Sequence, residues 1–180
     1  MFDTEAFVAT CRSAVSEGEP RLAVKDVLAA AMADAASVAR VLPPNRAEIV
    51  RLHASAELTI LKVVWAPGMS FGPHDHRMWA AIGIYSGGED NSFYRRMDNT
   101  LTASGGKSLR TGDVALLGDD TIHAVTNPTT DFAGALHIYG GDLFSTPRSE
   151  WRGQPYRETP YDVDHVLRSF EEANGATGRS

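Results

Sequence analysis

Residues 68–88 of the chain read GMSFGPHDHRMWAAIGIYSGG, and the interpretation of the whole sequence starts from this stretch. Alternate residues of a β-strand point to the same face of the sheet. In an extended His-Asp-His segment, His74 and His76 therefore lie side by side, while Asp75 points the other way. Two neutral imidazoles on one face form a metal site that needs a third ligand.

A second stretch, residues 112–127 with the sequence GDVALLGDDTIHAVTN, supplies a third histidine, His123. The two stretches have the forms G-x5-H-x-H-x11-G and G-x5-G-x4-H-x3-N. We predict that His123 reaches the other two histidines from a facing strand. All three ligands are then neutral, because no carboxylate lies between His76 and Glu89. A divalent ion so held keeps its full charge, which favours an anionic substrate.

The chain divides into three parts that we expect to form one domain. Residues 1–44 have apolar residues at helical spacing, which predicts a helical segment packed on the outside of the core. Residues 45–145 contain many short apolar runs separated by Gly and Pro, as in an antiparallel barrel or sandwich. Residues 146–180 are polar and rich in proline, and a short helix is predicted at 163–172.

The composition argues against several classes of function. The formal net charge is −6, whereas nucleic acids and anionic membrane surfaces both require a basic face. No apolar run approaches the roughly 20 residues of a membrane span, and the N-terminus lacks the basic region of a signal peptide. Cys11 is the only cysteine, which fits a reducing compartment. We expect a cytoplasmic protein with no nucleic-acid or membrane partner.

The two histidine motifs, in this order and spacing, resemble those of the cupin superfamily. The resemblance implies an all-β core folded as a double-stranded β-helix, or jelly-roll barrel, with the N-terminal α-helices added to it. The second motif departs from the usual pattern at the turn positions Gly118 and Asp120. Many cupins also have a glutamate ligand four or five residues after the second histidine, where this chain has Ala80 and Ala81.

Within the cupins, PHDHRMWAAIGIYSGGEDNSFYRR and ALHIYGGD resemble the cysteine dioxygenase family of thiol dioxygenases, and in particular its bacterial 3-mercaptopropionate dioxygenases. The resemblance implies an Fe(II) ion held by His74, His76 and His123, with Zn or Ni as ions that the purified protein could carry instead. It also implies O2 and a small thiol, such as cysteine or 3-mercaptopropionate, as substrates, and a sulfinic acid as the product.

The resemblance assigns roles to further residues. The family places a Ser-His-Tyr series beside the iron, and the matching residues here are Ala135, His137 and Tyr139. Without the serine, we expect a hydrogen-bond relay that ends at His137, with Tyr139 as the catalytic hydrogen-bonding group. Arg51, on an early strand, is the expected partner of a substrate carboxylate. By analogy with other cupins we also expect a homodimer.

Three other functions fit the same sequence features. The first is a three-histidine dioxygenase that cleaves a carbon–carbon bond in a diketone-like substrate. The second is a cupin that binds a metal or a ligand without catalysis. The third is an isomerase or epimerase that uses no metal. Substrate profiling separates the first from a thiol dioxygenase, and metal analysis together with oxygen uptake addresses the other two.

Overall fold

The computed structural model describes residues 1–98 and 100–177. The helices in these residues are α1 (Thr4–Val15), α2 (Pro20–Met32), α3 (Ala35–Val41) and α4 (Val163–Thr177). The strands are β1 (Glu48–Ala54), β2 (Thr59–Trp65), β3 (Ser70–Asp75), β4 (Ala80–Ser86), β5 (Gly88–Met97), β6 (Thr100–Arg110), β7 (Val114–Leu117), β8 (Ile122–Thr126), β9 (Ala133–Tyr139), β10 (Ser149–Arg152) and β11 (Arg157–Pro160). No helix in the described part of the chain is long and apolar enough to cross a membrane.

The strands form two antiparallel sheets between which the chain alternates. One sheet has the order β1-β2-β9-β4-β7, and the other has the order β11-β10-β3-β8-β5-β6. From β2 to β5 each strand lies in the opposite sheet from the one before it, and the same alternation runs from β6 to β10. A chain that winds between two facing sheets in this way is a double-stranded β-helix, which confirms the predicted cupin fold.

The five-stranded sheet is covered on both faces. Every residue of β2 and every residue of β9 is buried, as expected when neither face of a strand meets water. Leu61 and Val63 belong to the core inside the barrel, whereas Ile60 and Ile138 pack against the three N-terminal helices. Burying one such aliphatic side chain stabilises the fold by about 1.5–3 kcal/mol. The N-terminal helices therefore form a second core on the outside of the barrel.

The C-terminal segment contributes more structure than the sequence predicted. Strands β10 and β11, which the polar and proline-rich composition did not indicate, extend the six-stranded sheet from the edge of β3. Helix α4 packs Val166 and Phe170 into the inner core, where the ring of Phe170 lies 5.1 Å from that of Trp65. The side-chain amide of Asn174 forms two hydrogen bonds with the backbone of Ala47. Helix α4 is thus fixed against the start of β1.

Gly134 offers a direct test of the outer packing, because a Cβ atom at this position would lie 2.4 Å from the ring of the fully buried Tyr85. We expect Gly134→Ala to lower the free energy of unfolding by roughly 1–3 kcal/mol, the usual cost of overpacking. Gly118→Ala is the control, since its nearest neighbour would be 3.8 Å away, and it should change stability by less than about 0.5 kcal/mol. Denaturant unfolding measures both, and equal midpoints for the two variants would contradict this packing.

Candidate metal centre

The three histidines of the two motifs come together because β3 pairs with β8. His74 lies on β3, and its partner across the antiparallel ladder is His123 on β8. Directly opposed residues on neighbouring strands have their Cβ atoms about 5 Å apart, so their side chains meet. His76 follows β3 and shares the face of His74. The prediction that His123 comes from a facing strand was wrong, because β8 is the neighbour of β3 in the same sheet.

The cluster has the geometry that one metal ion requires. One ring nitrogen of each histidine lies within 4.8 Å of the others, and all three side chains are buried. The Nε2 atoms of His76 and His123 are 3.4 Å apart. Two nitrogens that bind one ion at about 2.1 Å are separated by roughly 3 Å, so only a small adjustment would bring the rings to an ion. The three residues can therefore hold a metal.

Hydrogen bonds on the far sides of the rings leave the convergent nitrogens free to bind. Nδ1 of His74 donates to the backbone oxygen of Gly72 at 3.0 Å. Nδ1 of His123 donates to Oδ1 of Asn91 at 2.7 Å. An imidazole that donates through Nδ1 has its lone pair on Nε2, and such outer contacts normally orient metal-binding histidines. Nδ1 of His76 is buried and has no hydrogen-bond partner in the described structure.

Burial also keeps the imidazoles neutral. Desolvation lowers the pKa of His74 from 6.5 to about 4, although the bond to Gly72 acts in the opposite direction. The pKa values of His76 and His123 are also well below the usual value, because of burial first and the neighbouring histidines second. Neutral imidazole is the form that binds metals, so protons do not compete for this site near pH 7.

Tyr139 and His137 lie next to the cluster, on the five-stranded sheet that faces the sheet of β3 and β8 across the barrel. Both are buried on β9, and the ring of Tyr139 is 4.9 Å from that of His76. Nδ1 of His137 and the hydroxyl oxygen of Tyr139 are 3.1 Å apart. Desolvation raises the pKa of Tyr139, so its hydroxyl group remains protonated at neutral pH. The structure thus brings this pair and the three histidines into one group.

The missing serine led us to expect that the relay ends at His137. In the structure it continues to Glu89. Oε1 of Glu89 is 3.1 Å from Nε2 of His137, and the same oxygen accepts a hydrogen bond from the indole of Trp65 at 2.7 Å. Glu89 is completely buried. A carboxylate oxygen can accept a hydrogen bond from that Nε2–H, and Nδ1 on the other side of the ring lies within hydrogen-bond distance of the hydroxyl group of Tyr139.

The sequence contained a signal for Glu89 that the spacing argument missed. Glu89 and Asn91 are two residues apart on β5 and therefore share a face. Asn91 contacts His123, and Glu89 contacts His137. A turn followed by two polar residues in alternation, directly after the first histidine motif, indicated a polar face directed into the barrel. The sequence does not show which strand pairs with β5.

The cluster opens into a cavity of about 350 Å³ that contains two arginines. Arg51, the predicted carboxylate partner, is exposed, and its guanidinium carbon is 5.7 Å from the ring centroid of Phe144. Arg148 was not predicted. It is half-buried, and its guanidinium carbon is 3.6 Å from the ring centroid of Tyr161. Its charge contributes to the lowered pKa values of His74 and His76, so Arg148 lies near the cluster.

Comparisons with known proteins give the following results. No family model matches the chain. An RmlC-like cupin from Methanocaldococcus jannaschii has 11% identity over 53% of this chain and 81% of its own, with a TM-score of 0.45. A cupin domain from Bordetella pertussis has 18% identity over 53% and 93%, with a TM-score of 0.42. Peruvianin-I, a cysteine peptidase from the latex of Thevetia peruviana, has 26% identity over 47% and 51%, with a TM-score of 0.40.

The match thus spans about half of the length of the latex protein. At these TM-scores the likenesses carry no weight of their own, and the fold assignment rests on the strand order and register. The double-stranded β-helix and the buried histidine cluster together define a cupin-type fold whose barrel can hold a metal ion at His74, His76 and His123.

Metal binding tests the cluster directly. We expect the purified chain, loaded with Fe(II) or Zn(II) and desalted, to retain one ion per chain. His74→Ala removes one of the three nitrogens and should weaken binding by at least about 100-fold, beyond the usual effect of losing an outer contact. His53→Ala is the matched control, because this strand histidine is outside the cluster. Equal metal contents in the two variants, measured by elemental analysis, would exclude the proposed site.

Glu89 can be tested through stability. Glu89→Ala leaves the N–H groups of Trp65 and His137 buried without acceptors, so we expect a loss of roughly 3 kcal/mol in the free energy of unfolding. Glu89→Gln should cost clearly less, because its amide oxygen can still accept both bonds where Oε1 does now. Chemical denaturation compares the two. Equal stability of Glu89→Ala and the wild type would show that Glu89 does not hold these groups.

Proposed function

We propose that this protein is an iron-dependent dioxygenase that converts a small anionic thiol to its sulfinic acid. The observation that carries the proposal is the contact between Tyr139 and the buried histidine cluster, with the tyrosine hydroxyl held by His137. A cupin that only stores or senses a metal has no need of a buried, oriented hydroxyl group at this place. The resemblance of the two motifs to thiol dioxygenases supports the same reaction.

The overall reaction needs only the thiolate and O2. Both oxygen atoms are transferred to sulfur: the O–O bond breaks, two S–O bonds form, and the sulfur supplies the four electrons that reduce O2. No further reductant is required, and R–S⁻ becomes R–SO2⁻. When bound at the three histidines, iron would supply the one-electron steps through which O2 can react with a closed-shell thiolate.

The histidine cluster suits an anionic substrate. Three neutral imidazoles add no negative charge to the site, and among the described residues no carboxylate belongs to the cluster. A divalent ion there would keep its full charge, which favours the thiolate over the thiol. The site would therefore select for the deprotonated sulfur near neutral pH.

Arg148 is the residue that we propose to bind the negative end of the substrate. Among the described residues it forms no ion pair with a carboxylate, although it is half-buried in the cavity wall. A guanidinium group matches a carboxylate with two parallel hydrogen bonds, and partial burial strengthens them. Arg51, which is exposed and also lines the cavity, remains the carboxylate partner that the sequence predicted. Fixing one end of the substrate sets the direction of its sulfur.

Tyr139 is the hydrogen-bonding group that we propose to act on the sulfur end of the substrate. Its protonated hydroxyl group lies beside the cluster and can form a hydrogen bond with the sulfur or with an oxygen atom during transfer. Glu89 and His137 hold the phenol ring in place, so that no reorganisation is needed when charge develops. Most side chains that line the cavity are apolar, and the low local dielectric that they create strengthens each of these polar contacts.

Oxygen consumption tests the proposal. We expect the iron-loaded protein to consume O2 with at least one of cysteine, 3-mercaptopropionate and cysteamine, and to form a product that contains both atoms of ¹⁸O2 by mass spectrometry. Tyr139→Phe should lower kcat by roughly 100-fold, the usual effect of removing one hydrogen-bond donor aimed at developing charge. His74→Ala is the blank. If no thiol is consumed faster than with this blank, the proposed function is wrong.

A further inference from the structure

The cavity in front of the histidine cluster is larger than a compact thiol requires. Its volume of about 350 Å³ lies in the range of roughly 300–1,000 Å³ that is typical of sites for drug-sized ligands. A molecule such as 3-mercaptopropionate, which is little more than a sulfur, two methylene groups and a carboxylate, fills only part of that space. The remaining volume therefore needs an explanation.

The space that such a molecule leaves empty is apolar on both sides. The barrel contributes aliphatic side chains from β2 and β8, and α4 contributes further apolar side chains. The residues concerned are Leu61, Val63, Val125, Val166, Leu167 and Phe170. Apolar side chains offer water no hydrogen bonds, whereas a hydrocarbon group that binds among them is removed from water, which is favourable.

The apolar surface continues to the opening of the cavity. Phe144, Val163 and Leu167 line the cavity and are also exposed, by 50%, 47% and 47% of their surface. Large exposed hydrophobic residues that cluster around an opening are more informative than isolated ones, because they mark places where an apolar ligand or partner is removed from water. Here the opening leads directly to the histidine cluster.

The charged groups that line the cavity indicate which charge the ligand carries. The lining contains Arg51 and Arg148, and none of the described lining residues is Asp or Glu. A carboxylate therefore finds a cation. An ammonium group finds no counter-charge, and burying it unpaired is expensive. The α-amino group of cysteine and the amine of cysteamine are both disfavoured on this ground.

We infer that the substrate is an amine-free thiol acid with an apolar aliphatic or aromatic body. Its anionic end lies at Arg148, its sulfur at the histidine cluster, and its body between the barrel and α4. The inference rests on the proposed function and specifies the substrate class of the same site. The charges of the cavity favour an acid without an amine, and the apolar walls favour in addition an apolar body, which 3-mercaptopropionate lacks.

Three probes separate the parts of this inference: 3-mercaptopropionate, 2-benzyl-3-mercaptopropionate and 2-phenylethanethiol. The first has the acid alone, the second has the acid and an apolar body, and the third has the body alone. Affinity is measured by calorimetry on the metal-loaded protein without oxygen, so that the result does not depend on turnover. We expect the benzyl acid to bind roughly 10- to 100-fold more tightly than either of the others. Its advantage over 3-mercaptopropionate comes from burial of one aromatic ring, and its advantage over 2-phenylethanethiol comes from the pairing of its carboxylate with Arg148.

A variant in the apolar wall provides the structural control. Leu167→Glu places a carboxylate at the wall of the cavity and should remove most of the difference in affinity between the two acids. Leu22→Glu is the matched control, because Leu22 is exposed to a similar extent, 44%, on α2 and does not line the cavity. It should leave the preference for the benzyl acid unchanged. Circular dichroism confirms that both variants fold.

The outcomes distinguish this inference from the proposed function. Oxidation of 3-mercaptopropionate together with equal or weaker binding of the benzyl acid overturns the inference and leaves the proposed function standing. Tighter binding of cysteine than of either acid also overturns it. If none of the probes or the amino thiols leads to oxygen uptake by the iron-loaded protein, the proposed function itself is wrong.

Discussion

The pairing of β3 with β8 is the constraint on which the rest of the site depends. It sets His74 directly opposite His123, and the period of two along the chain adds His76 to the same face. The pairing also buries all three rings inside the barrel, where desolvation suppresses their protonated forms. The positions of the three imidazoles and their neutral state therefore both follow from the pairing of β3 with β8. A slip of one residue in the register would turn His123 to the opposite face of the sheet and destroy the cluster.

Strand β5 supports the site through two of its residues. Asn91 holds the imidazole of His123, and two residues earlier Glu89 holds that of His137. A single strand thus orients both a histidine of the cluster and the residue that contacts the hydroxyl group of Tyr139. Position 135 is an alanine, and the carboxylate of Glu89 occupies the outer end of the hydrogen-bond series. The alanine at that position belongs to the packed interior of the barrel.

Much of the fold could be predicted from the sequence, because local pattern determines it. The run of short strands, the N-terminal helices and the face shared by His74 and His76 all follow from periodicity and from turn residues. The neighbour of each strand does not follow from it, since pairing is a non-local property. For this reason His123 was expected on a facing strand, and Glu89 was overlooked. Arg148 was missed because the segment around β10 has the composition of a loop and becomes ordered by pairing with β3.

We propose that three imidazoles hold one ion at the inner end of a cavity that admits a thiol. X-ray absorption at the zinc edge of the Zn-loaded protein tests it most directly, because zinc reports its ligands without redox chemistry. The account predicts three imidazole neighbours at about 2.1 Å, and a new sulfur neighbour at about 2.3 Å after addition of 3-mercaptopropionate. Fewer than three imidazoles, or a spectrum that the thiol leaves unchanged, would contradict it.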